Sequence, residues 1–200
     1  MKKVFRFRFL VAIMMIAAMG CTSCKKDNGV IDPDEPDVPG GTTTVLFKIK
    51  QATITYDMVD GEVKKTMIFD DNGKKFRLEE AVYTYILDEA ANKAYKLQKS
   101  TKTYEEVTVS SVQIERKTFI MAINDANFAT AGYTKSSQTV AGKTCSVYSG
   151  KAGTTTVVFG GWNDIVFLAK TNSITAIEAK TISETAAAGS FTVPSDYTKK

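Results

Sequence analysis

The 200 residues carry 26 Lys and Arg against 22 Asp and Glu, for a formal net charge of +4, and 44% of them are hydrophobic, enough for one core-bearing domain. The complete absence of histidine excludes histidine-dependent Ser or Cys triads and histidine-ligated zinc, and leaves carboxylates, lysine and oxygen-ligated calcium as the available chemistry. Four of the cations, Lys2, Lys3, Arg6 and Arg8, crowd the first eight residues; 26 less these 4 leaves 22 cations against 22 anions, without the concentrated positive field that nucleic-acid binding requires.

Residues 1–8 are cationic, Phe9 to Met19 form an uncharged apolar run, and Ala17-Ala18-Met19-Gly20 leads into Cys21. This order is that of a secretory signal peptide. The 11-residue run reaches only about 16 Å as helix, at about 1.5 Å per residue, against a hydrocarbon core of about 30 Å, so it is too short to span. A small residue directly before cysteine resembles the lipobox of bacterial lipoproteins, which implies diacylglycerol on the Cys21 thiol, with Cys24 as the competing acceptor. The expected address is the cell envelope, lipid-anchored, most simply at the outer membrane on its periplasmic or cell-surface side, with the membrane as a partner through the acyl chains.

Residues 21–44 then form an acidic, proline-rich tether: Asp27, Asp32, Asp34, Glu35 and Asp37 alternate with Pro33, Pro36 and Pro39 before Gly40-Gly41. Such a stretch buries no apolar surface and reads as an extended, self-repelling spacer. A single β-rich domain is expected over residues 45–200.

Within it, Ala52, Ile54, Tyr56 and Met58 alternate with polar residues up to Asp60-Gly61, a two-residue hairpin signal. Folding there pairs Met58 with Val63, Ile54 with Met67 and Ala52 with Phe69. The next turn, Asn72-Gly73, sets Phe69 opposite Phe76, Met67 opposite Leu78 and Asp70 opposite Lys75. Two independent turns thus predict one apolar face, Ala52, Ile54, Met58, Met67, Phe69, Phe76 and Leu78, whose register resists slipping. Phe47 and Ile49 fall on the opposite parity, which predicts a bulge near Lys50-Gln51.

Residues 82–88 and 93–99 read as another hairpin with apolar residues on both faces, so something should cover the second face. Val107, Val109, Val112 and Ile114 continue the strand pattern, and residues 124–131 are a candidate short helix lying across the sheet. Strands follow at 144–149, 154–159, 164–170 and 174–182, and Phe191 and Val193 close the series before Pro194. Nine or ten strands without long helices between them predict a mainly β domain, an antiparallel sheet or open barrel.

Among candidate sites, Trp162 follows Gly160-Gly161 and precedes Asn163-Asp164, at a turn where its indole either stacks on a sugar, closes a pocket or packs over a barrel end. Asp70-Asp71-Asn72-Gly73 lacks the EF-hand spacing and reads as a hairpin turn. Glu79-Glu80 and Glu105-Glu106 point to opposite faces of a strand and read as solvated edges rather than a paired catalytic set. The glycines at 150, 153, 160 and 161 form no phosphate or cofactor cradle. Cys145 reads as core.

Ile54-Thr55-Tyr56, Phe69 to Arg77, Tyr85 to Asp88 with Tyr95-Lys96-Leu97, Ala141 to Tyr148, Gly161 to Val166 and Phe191 to Pro194 together resemble the LolA/LolB-like superfamily of envelope proteins. The resemblance runs over about residues 45–197. It implies an incomplete, half-open antiparallel barrel with one or two short helices, around an apolar cavity that takes an acyl chain or another apolar small molecule. Ile54, Met58, Met67, Phe69, Phe76, Leu78 and Trp162 are then the expected ligand-facing residues. The leading expectation is a non-enzymatic, lipid-anchored binding module that carries or senses a lipid or lipoprotein-related ligand; the alternative is a surface interaction lipoprotein with a solid core that binds a protein or glycan.

Overall fold

A computed structural model describes residues 46–121 and 125–200. The signal segment, both candidate lipid acceptors Cys21 and Cys24, and the tether lie outside the described residues.

The domain is mainly β. Six strands run in sequence as a meander: β1 (Ala52–Met58), β2 (Val63–Asp70), β3 (Lys75–Glu79), β4 (Tyr83–Asp88), β5 (Lys93–Gln98) and β6 (Thr103–Glu106). Two helices follow, α1 (Val109–Lys117) and α2 (Asp125–Thr130). A second meander then comprises β7 (Thr134–Val140), β8 (Lys143–Ala152), β9 (Thr155–Trp162), β10 (Ile165–Thr171) and β11 (Ile174–Ser183), and a short β12 (Thr198–Lys199) ends the chain. The two meanders join through antiparallel pairing of β1 with β11, giving one sheet that is not closed, in the order β12-β6-β5-β4-β3-β2-β1-β11-β10-β9-β8-β7. Among the described residues only β12 pairs in parallel, alongside β6.

The first meander follows its turn chemistry. Met58 pairs with Val63, Ile54 with Met67 and Ala52 with Phe69; Phe69 pairs with Phe76, Met67 with Leu78 and Asp70 with Lys75. The β1–β2 connection is four residues long rather than two, 59–62, with Val59, Asp60 and Gly61 all at positive φ (52°, 54° and 84°) and Glu62 donating to the Val59 carbonyl at 3.1 Å, yet it keeps the expected register. Ile54, Met67, Phe69, Phe76 and Leu78 are fully buried and Met58 is 4% exposed. By area bookkeeping each such side chain stabilises the fold by about 1.5–3 kcal/mol.

Helix α1 lies over this same face. Its Glu115 stands within electrostatic reach of Lys65, Glu80 and Lys96, and Lys65 and Lys96 sit on the ladder rows of Tyr56 and Leu78. Arg116, 4% exposed, holds the helix down by donating from Nη1 to the Gly73 carbonyl at 2.6 Å and from Nη2 to Glu89 Oε1 at 2.7 Å. The opposite face carries Thr84, Ile86 and Leu97, all about 1% exposed. Residues 184–197 cross that face as a strap: Thr53 Oγ1 donates to the Thr185 carbonyl at 2.8 Å and Arg77 Nη1 to the Ser190 carbonyl at 3.0 Å. The expected cover for the second face is therefore the chain's own C-terminal segment.

Three expectations are corrected. Residues 109–117 are helical, not a strand: Val109, Val112 and Arg116 recur at three and four residues, which breaks the period of two, and the helix buries Val112 and Arg116 while leaving Ile114 60% exposed. Phe191 and Val193 belong to the strap, which forms no strand because it runs across the ladder rather than along it. Residues 46–50 are bent and lie outside β1, and the bulge sits instead between Thr55 and Tyr56, opposite β11. Asn72 fixes the bend, donating its side-chain amide to the carbonyls of Phe47 and Ile49 at 3.0 and 3.1 Å.

Candidate functional site

The residues singled out from sequence separate into two places. Ile54, Met58, Met67, Phe69, Phe76 and Leu78 share one buried face of the first meander, where the Phe69 ring packs on that of Phe47, centroids 4.5 Å apart. Trp162 does not join them. It ends β9, half-buried, 5.9 Å from the Phe167 ring, with Lys143 Nζ 4.6 Å above the indole.

The carboxylate pairs are parted as well. Glu79 binds Arg77 and Glu80 binds Lys65, while Glu105 and Glu106 face Lys96 and Lys199 at 3.9 and 3.8 Å. Asp70 to Gly73 is a turn containing a short 3₁₀ segment, Asp71–Gly73. Among the described residues, no group of three or more Asp, Glu or Cys side chains is placed to hold a metal ion. Cys145 is fully buried, and burial raises its thiol pKa above the ordinary value, which disfavours the thiolate form.

A concavity opens elsewhere, on the second meander. It is a polar cleft of about 320 Å³, lined by Lys48, Met121, Asp125, Lys135, Ser146, Tyr148, Gly161, Asn163 and Asp164. Its floor is the β7–β8–β9 ladder, in which Lys135 pairs with Tyr148, and Ser146 pairs with Ser137 on one side and Gly161 on the other. These positions share a face because they fall on rows of like parity; Trp162, one residue on, stands on the other face.

Gly161 is required there. A Cβ at this position would lie 1.9 Å from Met121 Sδ and 2.8 Å from the Ile165 carbonyl oxygen. The bare backbone lets the segment before Met121 dock on β10, where Ile120 bridges Ile165, Val166 donates to the Phe119 carbonyl at 2.9 Å and Met121 donates to the Asp164 carbonyl at 2.7 Å. This docking helps bury five consecutive β10 residues, Ile165 to Ala169.

Two charge pairs flank the cleft. On one side the Asn163-Asp164 turn, both residues with positive φ (51° and 64°), receives Lys48: its amide donates to the Asn163 carbonyl at 3.1 Å and its Nζ lies 3.0 Å from Asp164 Oδ1. On the other, Asp125 at the start of α2 accepts a hydrogen bond from the Tyr148 hydroxyl on Oδ1 and from Lys135 Nζ on Oδ2, the latter at 2.6 Å. Phe128 of α2 packs on Tyr148, ring centroids 5.0 Å apart, and so holds the helix over the ladder.

Lys135 and Tyr148 hold the Asp125 carboxyl below its ordinary range, and Asp125 in turn raises Lys135. Burial, followed by the hydrogen bond to Asp125, raises Tyr148. Each group is thereby pushed away from neutrality. The arrangement can offer hydrogen bonds of both polarities.

Lys48, Asp125, Lys135 and Tyr148 escaped functional notice in the sequence because they come from four separated segments, and no local spacing joins them. The one available signal was the Gly160-Gly161-Trp162-Asn163-Asp164 run, which drew attention to its tryptophan rather than to its flanks. Compared with known proteins, the chain matches no family model and no curated sequence.

Proposed function

We propose that this chain is a lipid-anchored, non-catalytic binding module of the bacterial cell envelope, acylated at Cys21 or, failing that, Cys24, and presented on the outer membrane. Its folded domain is read as a LolA/LolB-like half-open barrel with a filled interior. The ligand engages the polar cleft of the second meander. The observation that carries this reading is the division of chemistry in the domain: six of the seven residues expected to face a greasy ligand, all but the half-buried Trp162, are at most 4% exposed, whereas the cleft is lined mainly by charged and hydroxyl side chains. Small-molecule sites are ordinarily concave and mostly apolar with a few placed polar groups; a cleft this polar departs from that form and suits a hydrophilic ligand. The pKa directions of Asp125, Lys135 and Tyr148 favour binding over proton transfer.

Growth with labelled palmitate tests the anchor. The label should appear on the mature chain and vanish in Cys21→Ser, or only in Cys24→Ser if the second cysteine is the acceptor; an unlabelled full-length product in the cytosol overturns it. Mass spectrometry of organic extracts of the purified protein tests the interior. The reading expects no lipid beyond the protein's own acyl chains, and a stoichiometric co-purifying lipid would restore acyl-chain carriage.

A further inference from the structure

We propose that the cleft takes one neutral sugar residue, at the end or along the length of a glycan; this inference rests on the cleft being the binding site. The first reason is charge. The lining carries two cations, Lys48 and Lys135, and two anions, Asp125 and Asp164, and each cation already faces an anion. A charged ligand would have to break one of these pairs to be neutralised, whereas a neutral one leaves both in place.

The second reason is hydrogen-bond polarity. An ammonium beside a carboxylate suits two neighbouring hydroxyls, one accepting from the lysine and the next donating to the aspartate. The Lys48–Asp164 pair offers this at the rim, with the side chains 66% and 35% exposed. Ser146 and Asn163 add groups able both to donate and to accept. The third reason is the floor. Gly161 and Met121 form a small apolar patch between the polar flanks, which fits the C–H face of a pyranose ring whose edge carries hydroxyls. A peptide segment fits less well, because peptide recognition draws on a sheet edge or on pockets for apolar side chains. The volume, about 320 Å³, stands at the small end of ligand sites and admits one ring more readily than an extended chain.

The test uses the full chain in a detergent without a sugar headgroup, immobilised against a panel of neutral, sialylated and sulfated glycans at low and high salt. Three variants accompany it: Asp164→Asn, whose left-handed backbone asparagine also adopts, Ser146→Ala, and Trp162→Ala on the opposite face. The expected result is binding of a neutral glycan that salt does not weaken, reduced about tenfold by Asp164→Asn, as for one lost charge-assisted hydrogen bond, and reduced less by Ser146→Ala. Trp162→Ala should leave it unchanged. Salt-sensitive binding confined to the sialylated or sulfated members, strengthened in Asp164→Asn because Lys48 loses its competing anion, overturns the neutral sugar while keeping the cleft. Glycan binding lost only in Trp162→Ala overturns both, and failure to bind any member of the panel overturns the sugar.

Discussion

The two meanders solve the same problem of burying a sheet in different ways. In β1 to β6 the ladders run without a register break, and each face receives its own cover, α1 on one side and the 184–197 strap on the other. In β9 to β11 the register slips between Val166 and Leu168 and again between Ala169 and Lys170. There the cover is a chain segment threaded against β10 through the space above Gly161. The first meander's regular pairing accompanies a uniformly packed apolar face, whereas the concavity in which Lys48, Asp125, Lys135 and Asp164 converge lies on the unslipped β7–β8–β9 floor where it borders the slipped β9–β10 ladder at Gly161. Bulges and bare backbone are where sheets re-aim side chains, and the candidate site lies in the irregular half.

Each half can be attacked where it should be weakest. In the regular half Phe76→Ala removes a fully buried ring and should cost about 3–5 kcal/mol in urea unfolding; a loss under 1 kcal/mol would mean that the face contains slack space after all. In the irregular half Gly161→Ala forces a Cβ against Met121 and the Ile165 carbonyl, and should cost about 1–3 kcal/mol as overpacking. The same substitution at Gly160, whose Cβ would meet Leu168 and Val147 at 3.1 and 3.2 Å, should cost less. Reversal of that order would remove the special role given to Gly161.

The strap offers a subtler contrast. Arg77→Ala deletes the donor to the Ser190 carbonyl and should cost about 1–2 kcal/mol. Amide exchange should quicken in residues 184–200 and not in β8 or β9. Uniform acceleration would show that the strap is not a separable cover.

The smallest effect expected is a pH dependence at α1. Burial alone would raise Glu89, but the hydrogen bonds from Arg116 and Gln113 and the nearby Arg116 and Lys74 charges outweigh it and hold the carboxyl below its ordinary 4.5. An acid whose pKa is depressed by folding adds stability above its unfolded pKa and loses it as pH falls through the folded value. Unfolding followed from pH 7 down through this range should therefore show acid destabilisation that Glu89→Gln flattens. Glu115 has the opposite sign: burial, its largest influence, raises it, so it weighs against the fold as pH rises through the folded value. Glu115→Gln should raise the melting temperature slightly at pH 7, and a fall would count against that burial.

The fold of the first meander was legible because two turn dipeptides and a period of two fix its pairing locally. Asp60-Gly61 and Asn72-Gly73 leave one register that keeps Ile54, Met67, Phe69, Phe76 and Leu78 on one face. What the residues could not show were elements without a local apolar rhythm. The strand β7 reads Thr-Lys-Ser-Ser-Gln-Thr-Val, with only its last residue buried, so no hydrophobic alternation marks it. Helix α1 hid behind valines at mixed spacing, and the strap is held by a distant Arg77 rather than by its own pattern.

Sequence by itself determined the mainly β class, the central hairpins and the identity of the buried face, since those follow from side-chain period and turn conformation among near neighbours. Only the tertiary structure decided that β1 pairs with β11, that the C-terminal segment covers the second face, and that Lys48, Asp125, Lys135 and Asp164 meet around one cleft. Those outcomes depend on contacts between residues as much as about 130 positions apart, such as Thr53 with Thr185. Three-dimensional packing selects such contacts, and the local spacing of residues does not encode them.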